Sequence, residues 1–366
     1  MKVAYMLGSL NRGGTENLLL DYFRNSAQAE FSFIGIYRKE GQLSTAFQTG
    51  SAPVFKLFPK YKLDIRYLFR LRKLIKQQNC TIVHAQQPLD ALYARLACLC
   101  TRVKVALTLH GYDVYLGKMD KVILRTAMRV ADVTIFVSNT QKVYYQQKYS
   151  LVTNKTRTLY NGISFEKLDI AERTDIRQEL HLPSNTLLLG SVGNFVAVRD
   201  QMILCRFLRL LRATNFDFRF LFVGAKSQAE PERYDACVQF CNDNELSSRV
   251  IFLGSRKDVP SILNQLDAFL YASDHDTFGI AVIEAMASGI PVFVNDWEVM
   301  REITNEGRFT NLYETRNEDD LLQKFNNFIS NPEGYKQKAI QAAAWARQRY
   351  SIQSHLQQLN AIYMEI

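Results

Sequence analysis

Asp276 and Glu284 stand eight positions apart, one in a loop and one in a helix pattern. The apolar run DAFLYAS (267–273) reads as a strand ending at Ser273, the loop holds Asp274, His275 and Asp276, and a helix begins at Gly279 and ends at Gly289 and Pro291. Both carboxylates can therefore reach the mouth of a sheet, where they would accept hydrogen bonds from different hydroxyls of one ligand. The helix start offers free amides and the positive end of a helix dipole to a diphosphate. A second candidate is GSLNRGGTEN (8–17), where Gly13 and Gly14 lie between the first strand and the first helix. A glycine pair there lets backbone approach a phosphate closely. The plain alternative is a tight strand-to-helix turn, and the segment is not a full GxGxxG. His110, at the end of a strand in LHGYD, reads either as a cap on that strand or as a functional imidazole, whereas His275 reads as a solvated loop residue.

Elements that would position these residues follow from hydrophobic pattern. Short apolar runs alternate with longer amphipathic stretches from end to end, the signature of parallel α/β units. In the first half the spacing predicts strands at 3–9, 31–37, 52–58, 81–86, 104–111, 132–138 and 156–163; in the second, at 187–195, 218–225, 249–255, 267–273 and 290–296. The polar segment 165–185 between the two series predicts a linker with a short helix. The chain thus divides into two Rossmann-like domains, 1–170 and 171–350. After residue 316 it reads as helical, and the segment 351–366, amphipathic through Leu356, Leu359, Ile362 and Tyr363, is expected to pack back on the first domain.

Length and composition agree: 366 residues exceed one ordinary hydrophobic core, and 47% hydrophobic content is ample for two. Six cysteines without a CxxC pair read as reduced thiols of a cytoplasmic protein. The N-terminus has too short an apolar run for a signal peptide, and the best candidate for a membrane span, 90–109, contains Arg95, Arg102 and Lys104 and reads instead as a helix and a strand. The net charge of +9 is unevenly spread. Residues 1–170 carry 25 Lys and Arg against 11 Asp and Glu, a net of +14, and the remainder carries 20 against 25, or −5. Such a basic half attracts nucleic acid, anionic lipid or a phosphorylated acceptor, and composition does not separate these. Within the basic stretch 56–79 a helix pattern predicts an apolar stripe of Ile65, Leu68, Leu71 and Ile75 beside Arg66, Arg70, Lys73 and Lys76, which reads as a core-packed helix with a solvated cationic face.

The segment FGIAVIEAMASGIPV (278–292) resembles the E-x7-E region of the retaining GT-B glycosyltransferases, the large glycosyltransferase family 4. Other stretches agree in order and spacing: GGTE (13–16), HGYD (110–113), YNGIS (160–164), GSVGNF with Arg199 (190–199), LFVGA (221–225) and FLGSRKDVPSIL (252–263). Together they span nearly the whole chain. The resemblance implies a GT-B fold, two Rossmann-like α/β domains with parallel sheets facing across a cleft. It also implies retaining transfer of a sugar from a UDP- or GDP-sugar to a glycan or polyprenyl-diphosphate-linked acceptor, as in bacterial surface polysaccharide or lipopolysaccharide biosynthesis.

By the same resemblance Asp276 contacts the donor sugar and Glu284 the nucleotide ribose. Asn194 and Arg199 stand where the family has an Arg and a Lys for the donor diphosphate, so one of two expected cations remains. Phe278 and Gly279 belong to the donor turn, Gly13 and Gly14 supply amides to the diphosphate, and His110 lies beside the donor sugar. Asn11, Glu16, Tyr112 and Asp113 fall on the acceptor side. Asp274, His275 and Asp276 imitate the DxD metal motif of another glycosyltransferase architecture, but their surroundings match the metal-independent pattern, so no metal or other cofactor is expected. No nucleic acid partner is expected; the cations of 65–79 suit an anionic membrane surface at the cytoplasmic face. Two other readings stay open: a sugar-nucleotide epimerase of similar fold, and a catalytically silent binding subunit.

Overall fold

The computed structural model describes residues 1–11, 13–50, 52–61, 64–170, 175–214 and 216–366. The chain divides into two units, Met1–Ser164 with Tyr350–Ile366, and Phe165–Arg349. Unit 1 holds β1 (Lys2–Ser9), β2 (Ser32–Lys39), β3 (Val54–Lys56), β4 (Ile82–Ala85), β5 (Lys104–Leu109), β6 (Val133–Phe136) and β7 (Thr156–Thr158) in the order β3-β2-β1-β4-β5-β6-β7. Unit 2 holds β8 (Leu187–Val192), β9 (Phe218–Val223), β10 (Val250–Gly254), β11 (Ala268–Tyr271), β12 (Val292–Asn295) and β13 (Asn311–Tyr313) in the order β10-β9-β8-β11-β12-β13. Strand pairings in both sheets are parallel.

Parallel strands are apolar on both sides because helices cover both faces, and β1 shows it. Val3, Tyr5 and Leu7 join a core with Phe23, Leu356 and Tyr363, while Ala4 and Met6 join a second core with Tyr67, Leu71 and Leu124. The second sheet has one strand more than the pattern predicts. β13 is only three residues, NLY, too short to show a period of two.

Residues 90–109 form the helix Pro88–Ala97 and β5, and among the described residues no helix is long and apolar enough to cross a membrane. The cysteines are unpaired, and all but Cys100 are buried. The helix Glu166–Ile170 lies in unit 2, where Asn264 Nδ2 donates to the Leu168 carbonyl at 2.8 Å; residues 171–174, next to the expected boundary, lie outside the described residues.

The helix Ile65–Gln77 corrects an expectation. Its buried residues are Tyr67, Leu71 and Ile75, and Ile65 and Phe69 face solvent at 65% and 69% exposure. Asp64 caps the helix, its Oδ1 accepting from Tyr67 N–H at 3.1 Å. With about 100° of turn per residue, Ile65 then points roughly 200° away from Tyr67. Tyr67, not Ile65, begins the buried ridge.

The C-terminal helix Ile352–Met364 packs in unit 1, as its amphipathic pattern predicts, and buries Leu356, Leu359, Ile362 and Tyr363. It enters by pairing: Ile163 N–H donates to the Tyr350 carbonyl at 2.8 Å and Ile352 N–H to the Ile163 carbonyl at 3.1 Å. Gly162 in the YNGIS stretch permits this approach, since a Cβ there would lie 2.5 Å from His355 Cβ and 2.9 Å from Ile352 Cα.

A buried polar network fastens the same helix. His355 Nδ1 donates to the Tyr160 carbonyl at 2.7 Å, and its ring stacks on Tyr22 at 4.5 Å. His84 bonds the Tyr363 hydroxyl through Nδ1 at 2.5 Å and Thr108 through Nε2 at 2.7 Å. Burial pushes His84 down to about 3 and His355 to about 4, from an ordinary 6.5. Both rings are neutral at pH 7. The unfolded chain takes up protons below pH 6.5 that these rings refuse, so their contribution is full above 6.5 and falls as pH drops toward 4.

Each ring should then cost about 2 kcal/mol of folding stability between pH 7.5 and pH 5. Urea midpoints at the two pH values test this. His355→Gln, which keeps a polar group but does not titrate, should shrink the pH effect by about that amount, and an unchanged pH effect would refute the account.

Candidate active site

In unit 2 the strand order reverses between β8 and β11, and the predicted donor residues gather where these strands end. The loop after β8 is stapled to the continuation of β11. Asp274 N–H donates to the Val198 carbonyl at 3.1 Å, Asp200 N–H to the Ala272 carbonyl at 3.2 Å, and Arg199 bridges Ser273. From the other side the Asn295 amide grips Ser273, accepting its N–H at 2.9 Å and donating to its carbonyl at 2.8 Å.

This staple places Arg199 over the ring of Tyr271, with the guanidinium carbon 4.6 Å from the ring centroid. Arg199 Nη1 lies 3.4 Å from Asp276 Oδ2, an ion pair, yet it makes no hydrogen bond among the described residues and is buried. The Tyr271 hydroxyl donates to the same Asp276 oxygen. Burial raises the Asp276 carboxyl above its usual range, and Arg199 and Ser273 pull it back in part. Asp276, expected at the donor sugar, thus holds Arg199 in place, and its residue surface is 9% exposed.

The other two members of DHD diverge. Asp274 pairs with Arg316 at 2.8 Å, and the His275 ring lies 5.4 Å from the Trp297 ring. Among the described residues no group of three or more acidic, His or Cys side chains is arranged to hold a metal ion. Gly279 caps the helix Ile280–Ala287 with φ +78°, the left-handed region that glycine favours. Glu284 on that helix is half-buried and Phe278 is buried, so Phe278 serves the turn by packing. Asn194 is exposed, but its Oδ1 accepts from Ala225 N–H at 2.9 Å. Its acceptor oxygen is committed to the turn after β9.

In unit 1 the order reverses between β1 and β4, and a cavity of about 250 Å³ opens there. Ser9, Thr15, Glu16, Gln86, His110 and Tyr112 line it among apolar neighbours. His110 Nε2 bonds Gln86 Oε1 at 2.8 Å, and burial, followed by the nearby His355, lowers its pKa to about 4. The HGYD loop is clamped from the helix Asn139–Tyr149: Gln141 Nε2 and the Tyr145 hydroxyl both donate to the Gly111 carbonyl at 3.0 Å.

Three of the expected residues have notable surroundings here. Asp113 is fully buried and receives Tyr144 at 2.6 Å, Lys148 at 2.8 Å and the Tyr149 hydroxyl. Burial alone would raise its pKa, and these donors outweigh it and hold it below the usual range. It anchors the loop through these partners. Asn11 is exposed in the bend after β1 and is not part of the cavity wall. At the helix start Gly14 is open, but Glu16 folds back so that its Oε2 would lie 2.4 Å from a Cβ on Gly13. The chain's own carboxylate thus lies against Gly13, while Gly14 beside it stays open.

A family model for the glycosyl transferases group 1 matches residues 172–345, and one for glycosyltransferase family 4 matches residues 12–167. The chain belongs to the family 4 glycosyltransferases. Among its relatives, N-acetyl-alpha-D-glucosaminyl L-malate synthase of Bacillus anthracis is 23% identical over 318 residues, 84% of this chain and 80% of that one. The Escherichia coli UDP-Gal:alpha-D-GlcNAc-diphosphoundecaprenol alpha-1,3-galactosyltransferase is 25% identical over 244 residues, 64% of this chain and 62% of its own. The crystal structure of Anabaena HepE in complex with UDP and glucose superposes with a TM-score of 0.87 over the whole of both chains at 20% identity, which shows the GT-B fold.

Two residues of this glycosyltransferase escaped the sequence reading. Tyr271 ends β11 and Gln86 follows β4, both at strand ends beside an order reversal. That position is the signal that could have found them, since α/β sheets bind ligands outside the carboxyl ends of strands at such points. Tyr271→Phe keeps the ring under Arg199 and removes the hydroxyl from Asp276, so it should lower stability by about 1 kcal/mol. Tyr271→Leu also removes the cation–π contact and should cost about 1 kcal/mol more. Denaturant midpoints check both, and equal losses would mean that the ring contributes nothing.

Proposed function

We propose that this glycosyltransferase moves a sugar from a nucleoside diphosphate donor, held by unit 2, to a glycan or lipid-linked acceptor, held by unit 1, with retention at the anomeric carbon. One observation carries the donor assignment: Arg199 is fixed by Tyr271 and Asp276, yet keeps a buried Nη1 without a hydrogen-bond partner among the described residues. A buried cationic donor without a hydrogen bond is costly unless a ligand completes it. A diphosphate oxygen does so, with a charge-assisted bond.

The bond from the anomeric carbon to the diphosphate oxygen breaks, and a bond to the acceptor hydroxyl oxygen forms on the same face. The hydroxyl proton goes to the departing phosphate oxygen. Arg199 and the amides at the Gly279 turn stabilise the charge that develops on the leaving group. Asp276 is already engaged by Tyr271 and Arg199, which argues against a covalent carboxylate intermediate. Glu284 holds the ribose. His110, neutral at pH 7, serves as a hydrogen-bonding group at the sugar and not as a cation.

The relative from E. coli is named for a diphosphoundecaprenol acceptor, and the surface of unit 1 suits such a carrier. Ile65 and Phe69 are exposed beside Arg66 and Lys73, and Val114, Tyr115, Leu116 and Met119 are exposed next to Lys118. Apolar side chains set among cations favour an anionic membrane surface. The reading is therefore a peripheral enzyme at the cytoplasmic face that extends a bacterial surface glycan, using a UDP- or GDP-sugar and no metal.

Glu284→Ala and Arg199→Ala should each lower kcat/KM by about 100-fold or more, and Arg199→Lys should recover part of the loss while keeping the partner of Asp276. Near-normal turnover in the first two would sink the site. Transfer should persist in EDTA, and a loss that Mg²⁺ restores would make DHD a metal site. In flotation with anionic liposomes the wild type should rise with the vesicles and fall off as salt increases. Replacing Arg66 and Lys73 by Gln should weaken partitioning about 30-fold, at about 1 kcal/mol per cation, and a wild type that stays with the soluble fraction at low salt would end the membrane proposal.

A further inference from the structure

The direction of the Arg199 side chain is set by a turn. Arg199 N–H donates to the Val196 carbonyl at 2.9 Å, which closes a β-turn with Ala197 and Val198 at its centre. One corner of the turn is held by the continuation of β11: the Val198 carbonyl accepts from Asp274 N–H at 3.1 Å and from the Ser273 hydroxyl at 2.8 Å. The other corner is held from elsewhere in unit 2. Ala197 N–H donates to Glu230 Oε2 at 2.7 Å, across 33 positions of sequence.

Glu230 stands at the N-cap of the helix Pro231–Asp243, yet its side chain makes no capping bond to that helix. A side-chain acceptor at this position ordinarily takes an amide two or three residues on. Here the carboxylate turns away from its own helix and reaches the loop after β8. Arg233 lies 3.6 Å from the same oxygen and balances its charge. The same helix sends Tyr234 against Phe195, with ring centroids 4.9 Å apart, and Phe195 is 1% exposed. The segment that leads to Arg199 is therefore fixed twice from one helix, by an apolar plug at Phe195 and by a charge-assisted hydrogen bond at Ala197.

The slot that the turn must hit is narrow. The guanidinium lies over Tyr271 and beside Asp276, and a Cβ on Gly193 would be 3.2 Å from Arg199 Nη1. Backbone, aromatic face and carboxylate together confine it. A turn released at Ala197 lets the guanidinium leave this slot, and a displacement of about 1 Å is enough to weaken a positioned contact strongly.

We propose that Glu230 is a positioning residue for the donor diphosphate: by holding Ala197 N–H it fixes the turn that aims Arg199, and it acts on the donor through Arg199. The assignment rests on the reading above that Arg199 binds the diphosphate.

Titration of the full chain with UDP and with GDP tests it, by calorimetry and, for weak binding, by saturation-transfer NMR. Glu230→Gln drops the charge but keeps an oxygen that reaches Ala197, and it should bind within about threefold of the wild type. Glu230→Asp keeps the charge but is one methylene shorter, and both it and Glu230→Ala should bind about tenfold more weakly. In an Arg199→Ala background, Glu230→Ala should add less than about twofold, because effects that pass through one shared partner are not additive. General loosening of the fold would weaken binding in both backgrounds and would not separate Gln from Asp. The Glu230 side chain is 31% exposed, so little packing is lost, and thermal midpoints without ligand establish that each variant folds.

A Gln variant as weak as the Ala variant, or a tenfold loss that persists in the Arg199→Ala background, would overturn the proposal. So would unchanged or tighter binding in the Asp and Ala variants; tighter binding would mean that the diphosphate displaces Glu230 from Ala197. If Glu230→Ala binds normally while Arg199→Ala does not bind, the positioning role fails and the donor reading stands. If neither UDP nor GDP binds the wild type, the donor reading fails and this proposal with it.

Discussion

A parallel sheet must return every connection through a helix, and where its strand order reverses, neighbouring helices leave toward opposite faces. A crevice then opens at the strand ends. In unit 1 the helix Gly14–Arg24, after β1, packs in one core with Leu18, Leu19 and Phe23, while the helix Pro88–Ala97, after β4, packs in the other with Ala91, Tyr93 and Ala94. Ser9, Gln86 and His110 stand around the gap they leave. Unit 2 repeats the reversal between β8 and β11, and Arg199, Tyr271 and Asp276 occupy the corresponding place. Topology decides where chemistry is possible, and the local residues decide which chemistry.

The two reversals are furnished differently. In unit 2 a guanidinium is held between an aromatic face and a carboxylate, which fixes a positive charge without saturating it. In unit 1 the histidines are kept neutral by burial, and Glu16 is the carboxylate among the described residues that line the cavity. The first arrangement suits the proposed stabilisation of charge on a leaving diphosphate. In the proposed donor site Asn194, its oxygen bonded to Ala225, supplies no second cation, so that reading places the charge on Arg199.

The C-terminal helix completes unit 1 from a distance in sequence. Its His355 and Tyr363 bond partners near Tyr160 and His84, and the close approach depends on Gly162. Because these groups are buried, they contribute only while neutral and paired. The same burial that anchors the helix depresses the histidine pKa values and makes the anchor sensitive to acid.

Sequence alone determined what depends on neighbours along the chain. Alternating apolar runs specified two parallel α/β units, the spacing of Leu356, Leu359, Ile362 and Tyr363 specified a helix with one buried side, and Gly279 with Glu284 marked a helix start with a carboxylate beyond it. Tertiary structure decided the rest. The burial of Asp113 comes from Tyr144, Lys148 and Tyr149, more than thirty residues away, which close on it. That Asp276 pairs with Arg199 is visible only once the staple to Val198 brings the two together. Gln86 carries no motif; β4 and β5 set His110 against its Oε1, and its Nε2 has no hydrogen-bond partner among the described residues. A side chain's type and local spacing limit what it can do, but its charge state and free valences depend on partners that the fold brings from other elements, and those partners leave no mark in the local sequence.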